Sequence, residues 1–214
     1  MRCTFYRPTN NNTNEFENII GKLRYDVLTL NQETADSLNI YNYVLRLSKE
    51  AQPLEKNPAM MFWGMDKPER MPGDIRVEYF YKPTYIATAF LMKAAVLFPE
   101  LMEDDDLDWE FGSECINLFK KVLPAAMLGC TGRGFMGSGY DDVKGLFDTL
   151  TIFAEGNAKS FVEKYPDVCP EFTKMFNETV QMLRDKVNEG SGHDSWGTNY
   201  IPRATSVLKA IDAE

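Results

Sequence analysis

Apolar side chains recur every three to four residues through most of the chain, and this spacing decides the fold class. Between residues 143 and 162 it picks out Val143, Leu146, Phe147, Leu150, Phe153, Ala154, Ala158, Phe161 and Val162. Only a helix gathers such a set on one face, and that face must then be buried against other elements. The same period carries Ile116, Phe119, Val122, Leu123, Ala126 and Met127, and then Phe172, Met175, Phe176, Val180, Leu183 and Val187. It returns in Ile40, Tyr41, Val44, Leu45, Leu47 and Ala51, and again in Ala204, Val207, Leu208 and Ile211.

Punctuation agrees with the period. Asn14 and Glu17 approximate a capping box, which sets a first helix from Glu15 to about Leu28. Asn31 or Thr34 can cap the second helix, and Pro53 marks its end. Pro83 suits the first turn of a helix running to Phe98, where Pro99 stops it. That helix is apolar almost all round, with Lys93 as its one charge, and is expected at the centre of the core. Pro170 opens the sixth helix and Gly190 follows its end, while Pro202 opens the seventh. The expectation is an all-α, single-domain multi-helix bundle or helical-hairpin array of about seven helices. At most one short strand is expected, from the alternation Ile75, Val77, Tyr79 and Tyr81.

One domain is expected over residues 1–214, since a chain of this size buries about 70% of its unfolded surface and needs no disulfide or structural metal. Within it, residues 1–13 are a polar lead-in and residues 54–82 a long irregular connection, interrupted by Pro58, Gly64, Pro68, Pro72 and Gly73. The helix stops Phe98-Pro99-Glu100 and Tyr165-Pro166-Asp167 echo one another. Repeated helical hairpins leave such signals, although two three-residue stops do not establish a repeat.

The formal net charge of −9 and the lack of any basic run beyond Lys120-Lys121 disfavour nucleic acid. They also argue against an anionic membrane surface, and no apolar run approaches the ~18 residues of a membrane span. Cys3, Cys115, Cys130 and Cys169 have neither CxxC nor zinc spacing, and His193 is the only histidine. Free thiols, a cytoplasmic location and no metal or cofactor are the expectations.

The candidate chemistry concentrates in CTGRGFMGSGYDD, residues 130–142. Gly132, Gly134 and Gly137 let the backbone come close to a ligand, Arg133 offers a two-pronged donor, and Tyr140 can orient a polar group. These glycines match GxGxxG, but a dinucleotide site needs a strand before the loop, and residues 118–129 read as helix. Asp141 stands where the loop meets the next helix and can place or activate a ligand, though helix capping alone also explains it.

A second segment, GSGHDSWGTNY at 190–200, brings His193 as an acid or base, and an exposed loop histidine is its plainer reading. His193, Asp194 and Ser195 are consecutive and so lack triad geometry. Cys130 follows a helix end and is expected to be a structural thiol. Met60, Met61, Phe62, Trp63 and Met65 suit either a partner surface or, more commonly, core packing.

The reading that follows is a small-molecule-binding helical protein, a hydrolase or transferase acting on a polar substrate. Residues 131–142 line its site, with Asp141 and His193 in catalytic roles. The alternative is a non-catalytic helical module for partner binding or homo-oligomer formation.

Overall fold

A computed structural model describes residues 24–32, 37–54, 57–63, 82–103, 111–127, 142–193, 197 and 199–214. The described chain is mostly helical. After a helical stretch at 24–29 come α1 (Ser37–Glu50), β1 (Gln52–Leu54), β2 (Asn57–Phe62) and α2 (Lys82–Leu97). A 3-10 turn (Pro99–Met102) and α3 (Phe111–Met127) lead to α4 (Asp142–Glu155), α5 (Ala158–Lys164), α6 (Pro170–Glu189) and α7 (Ile201–Asp212).

Three expectations need correction. Among the described residues there are two strands rather than at most one, and they pair antiparallel, with Gln52 opposite Phe62 and Pro53 opposite Met61. Residues 57–62 of the expected irregular connection therefore form a strand, while the alternation at 75–81 lies outside the described residues. The reason is burial: the β2 side of this hairpin packs along α3, where Phe62 and Ala125 bury each other. The residues at 1–13 and 15–23 also lie outside the described residues.

The third correction is that the apolar stripe at 143–162 is two helices, broken at Gly156-Asn157. A Cβ on Gly156 would lie 2.6 Å from the Cα, Cβ and carbonyl oxygen of Ala89 in α2. Only glycine lets the two backbones approach this closely. Asn157 then takes φ 54° and ψ 43°, a left-handed conformation that asparagine tolerates better than most residues. The periodicity continues across the break because both helices face the same core.

The central helix is where its composition places it. Every residue of α2 from Pro83 to Met92 is buried, as are Ala94 and Ala95. Around it gathers one contiguous cluster that takes in side chains from every α-helix. Trp63, fully buried, ties three elements together: its indole N–H donates to the Leu47 carbonyl at 3.0 Å, and the Thr84 hydroxyl donates to its carbonyl at 3.0 Å.

Pairwise contacts fix the helix directions. Tyr85 meets Phe153 edge-on at 5.7 Å, Ala89 meets Gly156, and the Tyr165 hydroxyl donates to Ala95 at 3.1 Å. Thus α2 runs parallel to α4 and α5. Tyr200 lies 5.9 Å from Phe147, Arg203 pairs with Asp148, and Lys159 reaches Asp212 at 3.7 Å. Thus α7 runs parallel to them as well, on the same α4. Lys93 bonds Val27 and Gln32 bonds Leu97, so the stretch at 24–32 also follows α2. Helices α1 and α6 run the other way: α1 brings Tyr43 to Phe90 and, through Trp63, Leu47 to the Thr84 end, and α6 brings Arg184 to Asp212 while the chain just past it, at Gly192, meets Tyr200 before α7. No helix among the described residues is long and apolar enough to cross a membrane.

Candidate functional site

Gly132, Arg133, Gly134, Gly137, Tyr140 and Asp141 lie outside the described residues, as does Cys130. The structure describes the frame that holds them. Helix α3 delivers the chain at Met127, and α4 takes it up at Asp142. The described element before the glycine-rich segment is thus a helix, where a dinucleotide site has a strand. Helix α4 is firmly seated, since Leu146, Phe147, Thr149 and Leu150 are all buried.

The second candidate segment is described in part, and its ends close on each other. After α6 stops at Gly190, the Tyr200 amide donates to the Gly192 carbonyl at 3.1 Å, and His193 pairs with Asn199 in an antiparallel bridge. Gly192 has no room for a side chain: a Cβ there would lie 2.5 Å from two ring carbons of Tyr200. Asn199 Oδ1 accepts the Ile201 amide at 2.9 Å and so satisfies one of the unpaired donors that begin α7. The result is a pinched neck with His193 on it, its side chain exposed. Asp194, Ser195 and Trp196 lie outside the described residues.

That neck is anchored to α4. The Tyr200 ring packs on Phe147, the Arg203 guanidinium lies 5.5 Å from the same ring, and Arg203 pairs with Asp148. At 1.5 Å per residue, Phe147 stands about 7–8 Å along the helix from Asp142. The structure therefore brings the His193 segment to the N-terminal half of the helix that the glycine-rich segment enters.

Two other sequence candidates resolve as core. Cys115 is buried in α3, and burial pushes its thiol up to about 12. Burial likewise raises the Cys169 thiol, so neither sits in the electropositive setting that activates a nucleophile. Both are unbridged. Phe62 and Trp63 are buried and Met60 and Met61 partly so, while Met65 lies outside the described residues.

One polar cluster was not anticipated. Arg24 grips Glu155 with both prongs, Nε to Oε2 at 2.8 Å and Nη2 to Oε1. Nearby, Lys93 Nζ donates to the Val27 carbonyl at 2.8 Å, and the Tyr43 hydroxyl donates to the buried Asp26 at 3.3 Å. The bond it donates to Glu155 raises the Arg24 pKa, whereas burial lowers that of Lys93 against the pull of Glu155. Its groups satisfy one another across residues 24–32, α1, α2 and α4, which makes it a lock between elements. The sequence signal was Lys93, a lone charge on a helix otherwise built for the core. Among the described residues no cluster of three or more His, Cys, Asp or Glu could hold a metal ion. No family model matches this chain, and neither a curated protein nor a solved structure shows significant similarity to it.

Proposed function

We propose that the chain is a single helical domain, a helical-hairpin array, that binds a polar small molecule where α4 and α7 begin, on the side from which α2 is also entered. The observation that supports this is the shared direction of those three helices. The segments 64–81, 128–141 and 190–200 lead into them, so the glycine-rich segment and the His193 segment attach near one another, where α4 and α7 begin, and the long connection enters from the same side, with α2 starting further along, beside the last turns of α4. Binding residues concentrate on loops held by a rigid scaffold. In this reading Gly132, Gly134 and Gly137 offer backbone N–H groups, Arg133 grips an anionic or carbonyl group, and Tyr140 orients it. Asp141 and His193 serve as the acid–base pair of a hydrolysis or group transfer.

A thermal-shift screen of polar metabolites on the full chain tests it, repeated on Arg133→Ala. Ligands that stabilise the parent should lose that effect in the variant, whereas hits that survive unchanged would remove residues 131–142 from the site.

A second reading, self-association, draws on the exposed Tyr25 and Leu28, three residues apart on one helical stretch, and on Met182 of α6. Sedimentation velocity separates the two readings. A dimer lost on Leu28→Asp would favour self-association, and a monomer at all concentrations would dismiss it.

A further inference from the structure

The end of α7 is fastened by an acidic side chain in an unusual place. Glu214 Oε2 accepts the amides of Lys159 and Ser160 at 2.7 and 3.2 Å, at the start of α5. These amides need an outside acceptor, because Asn157, in its left-handed conformation, offers no capping side chain there. Glu214 supplies it from a different helix. The other oxygen, Oε1, is shut away from solvent with no hydrogen-bond partner among the described residues. Ile211, three residues before Glu214, and Ala158, one before Lys159, are both fully buried.

We infer that Glu214 is a proton-sensitive clasp, closing the end of α7 onto the α4–α5 corner when its carboxyl is protonated and loosening when it ionises. A carboxylate has two oxygens to satisfy and this pocket gives donors to one, so an ionised group leaves Oε1 charged, buried and without a donor. The facing charges do not rescue it. The Lys159 ammonium favours the ionised form but is drawn to Asp212 at 3.7 Å, Asp212 is itself held by Arg184 of α6, and Glu163 adds repulsion from α5. Burial accordingly pushes the Glu214 carboxyl up to about 7, against the opposing pull of the Ser160 and Lys159 amides. A raised carboxyl pKa means the clasp's contribution is complete below the ordinary carboxylate range and is lost as pH rises through about 7. The clasp would therefore open within the range where cells regulate pH.

The test is an NMR titration of the full chain from acid to mildly alkaline pH. It follows the Glu214 side-chain carboxyl carbon and the amide nitrogens of Lys159 and Ser160. All three should share one midpoint, displaced upward from the usual value near 4.3 by two units or more. The amides should also exchange faster above that midpoint than base catalysis alone explains. Glu214→Gln should flatten both amide curves, and Glu163→Gln should leave the shared transition in place at a slightly lower midpoint. A carboxyl midpoint near 4.3 in the parent overturns the inference whether or not any variant folds. So do amide curves that persist unchanged in Glu214→Gln.

Discussion

Where α5 finishes, the chain turns within a few residues, and polar groups close on one another there and at the end of α2. The Gln32 side chain donates to the Leu97 carbonyl, Tyr165 to Ala95, and Thr173 to Pro166 across the turn between α5 and α6. On the side from which α2, α4 and α7 are entered, bonds among the described residues close the neck at Gly192–Tyr200 and tie the start of α2 to Trp63. One end is thus committed to holding the array together. The other presents the firmly packed starts of α4 and α7, an arrangement that suits ligand capture because a site needs rigid support beneath it.

If that contrast holds, the platform under the entry end should be the least forgiving part. Trp63→Ala removes a fully buried indole, its bond to Leu47 and the link between β2, α1 and α2. A loss of about 3–5 kcal/mol is expected in urea unfolding. A loss under about 1 kcal/mol, within the range of ordinary substitutions, would mean that the entry end is not built on this anchor.

Gly156→Val attacks the corner where α2 and α4 touch. The obstructing atoms belong to the Ala89 backbone as well as its methyl, so no side-chain rotation makes room. The expected cost is about 1–3 kcal/mol from overpacking, with the Arg24–Glu155 pair disturbed because Glu155 adjoins the corner. A crystal structure or a melt that shows the valine accommodated at no cost would deny the close approach.

Arg24→Ala should cost less, about 1 kcal/mol, since Arg24 is partly exposed and water screens the pair. A double-mutant cycle with Glu155→Gln isolates the coupling. Zero coupling would reduce the cluster to a surface decoration.

How much of this was legible from residues alone differs by region for a physical reason. Helices α1, α2, α3, α6 and α7 follow from period and punctuation because each buries one stripe, or in α2 nearly its whole surface. Their limits at Pro83, Pro170, Gly190 and Pro202 are local chemistry. The break at Gly156 was hidden because it depends on Ala89, remote in sequence, and the stripe gives no sign of it. The β1–β2 hairpin was hidden because Pro53 and Pro58 read as interruption, while the pull of α3 on Phe62 is a tertiary effect. Trp63 and Cys115 went to the core, as residues of their kind commonly do. His193 was legible as an exposed loop residue. Its anchoring to α4 through Tyr200 and Arg203 was not, because no local pattern pairs residue 200 with residue 147.

The smallest effect on stability is also the sharpest test of the contrast between ends. His193 is exposed, and the bridge to Asn199 is made by backbone, so His193→Ala should change the unfolding free energy by less than about 0.5 kcal/mol. Gly192→Ala, one residue away, should cost more, because its new methyl would meet the Tyr200 ring and Ile201 and push the neck off Phe147. The two variants separate chemistry from architecture. If His193 works on a bound substrate, His193→Ala lowers turnover about 100-fold or more and leaves ligand-induced stabilisation in place. Gly192→Ala would instead weaken binding and turnover together, since the whole neck shifts. If both variants bind and turn over ligand like the parent, the neck is a structural hinge pin and the entry-end site shrinks to the glycine-rich segment alone. If His193→Ala proves as destabilising as Gly192→Ala, the imidazole is holding the neck closed, and its place is on the structural side of the comparison.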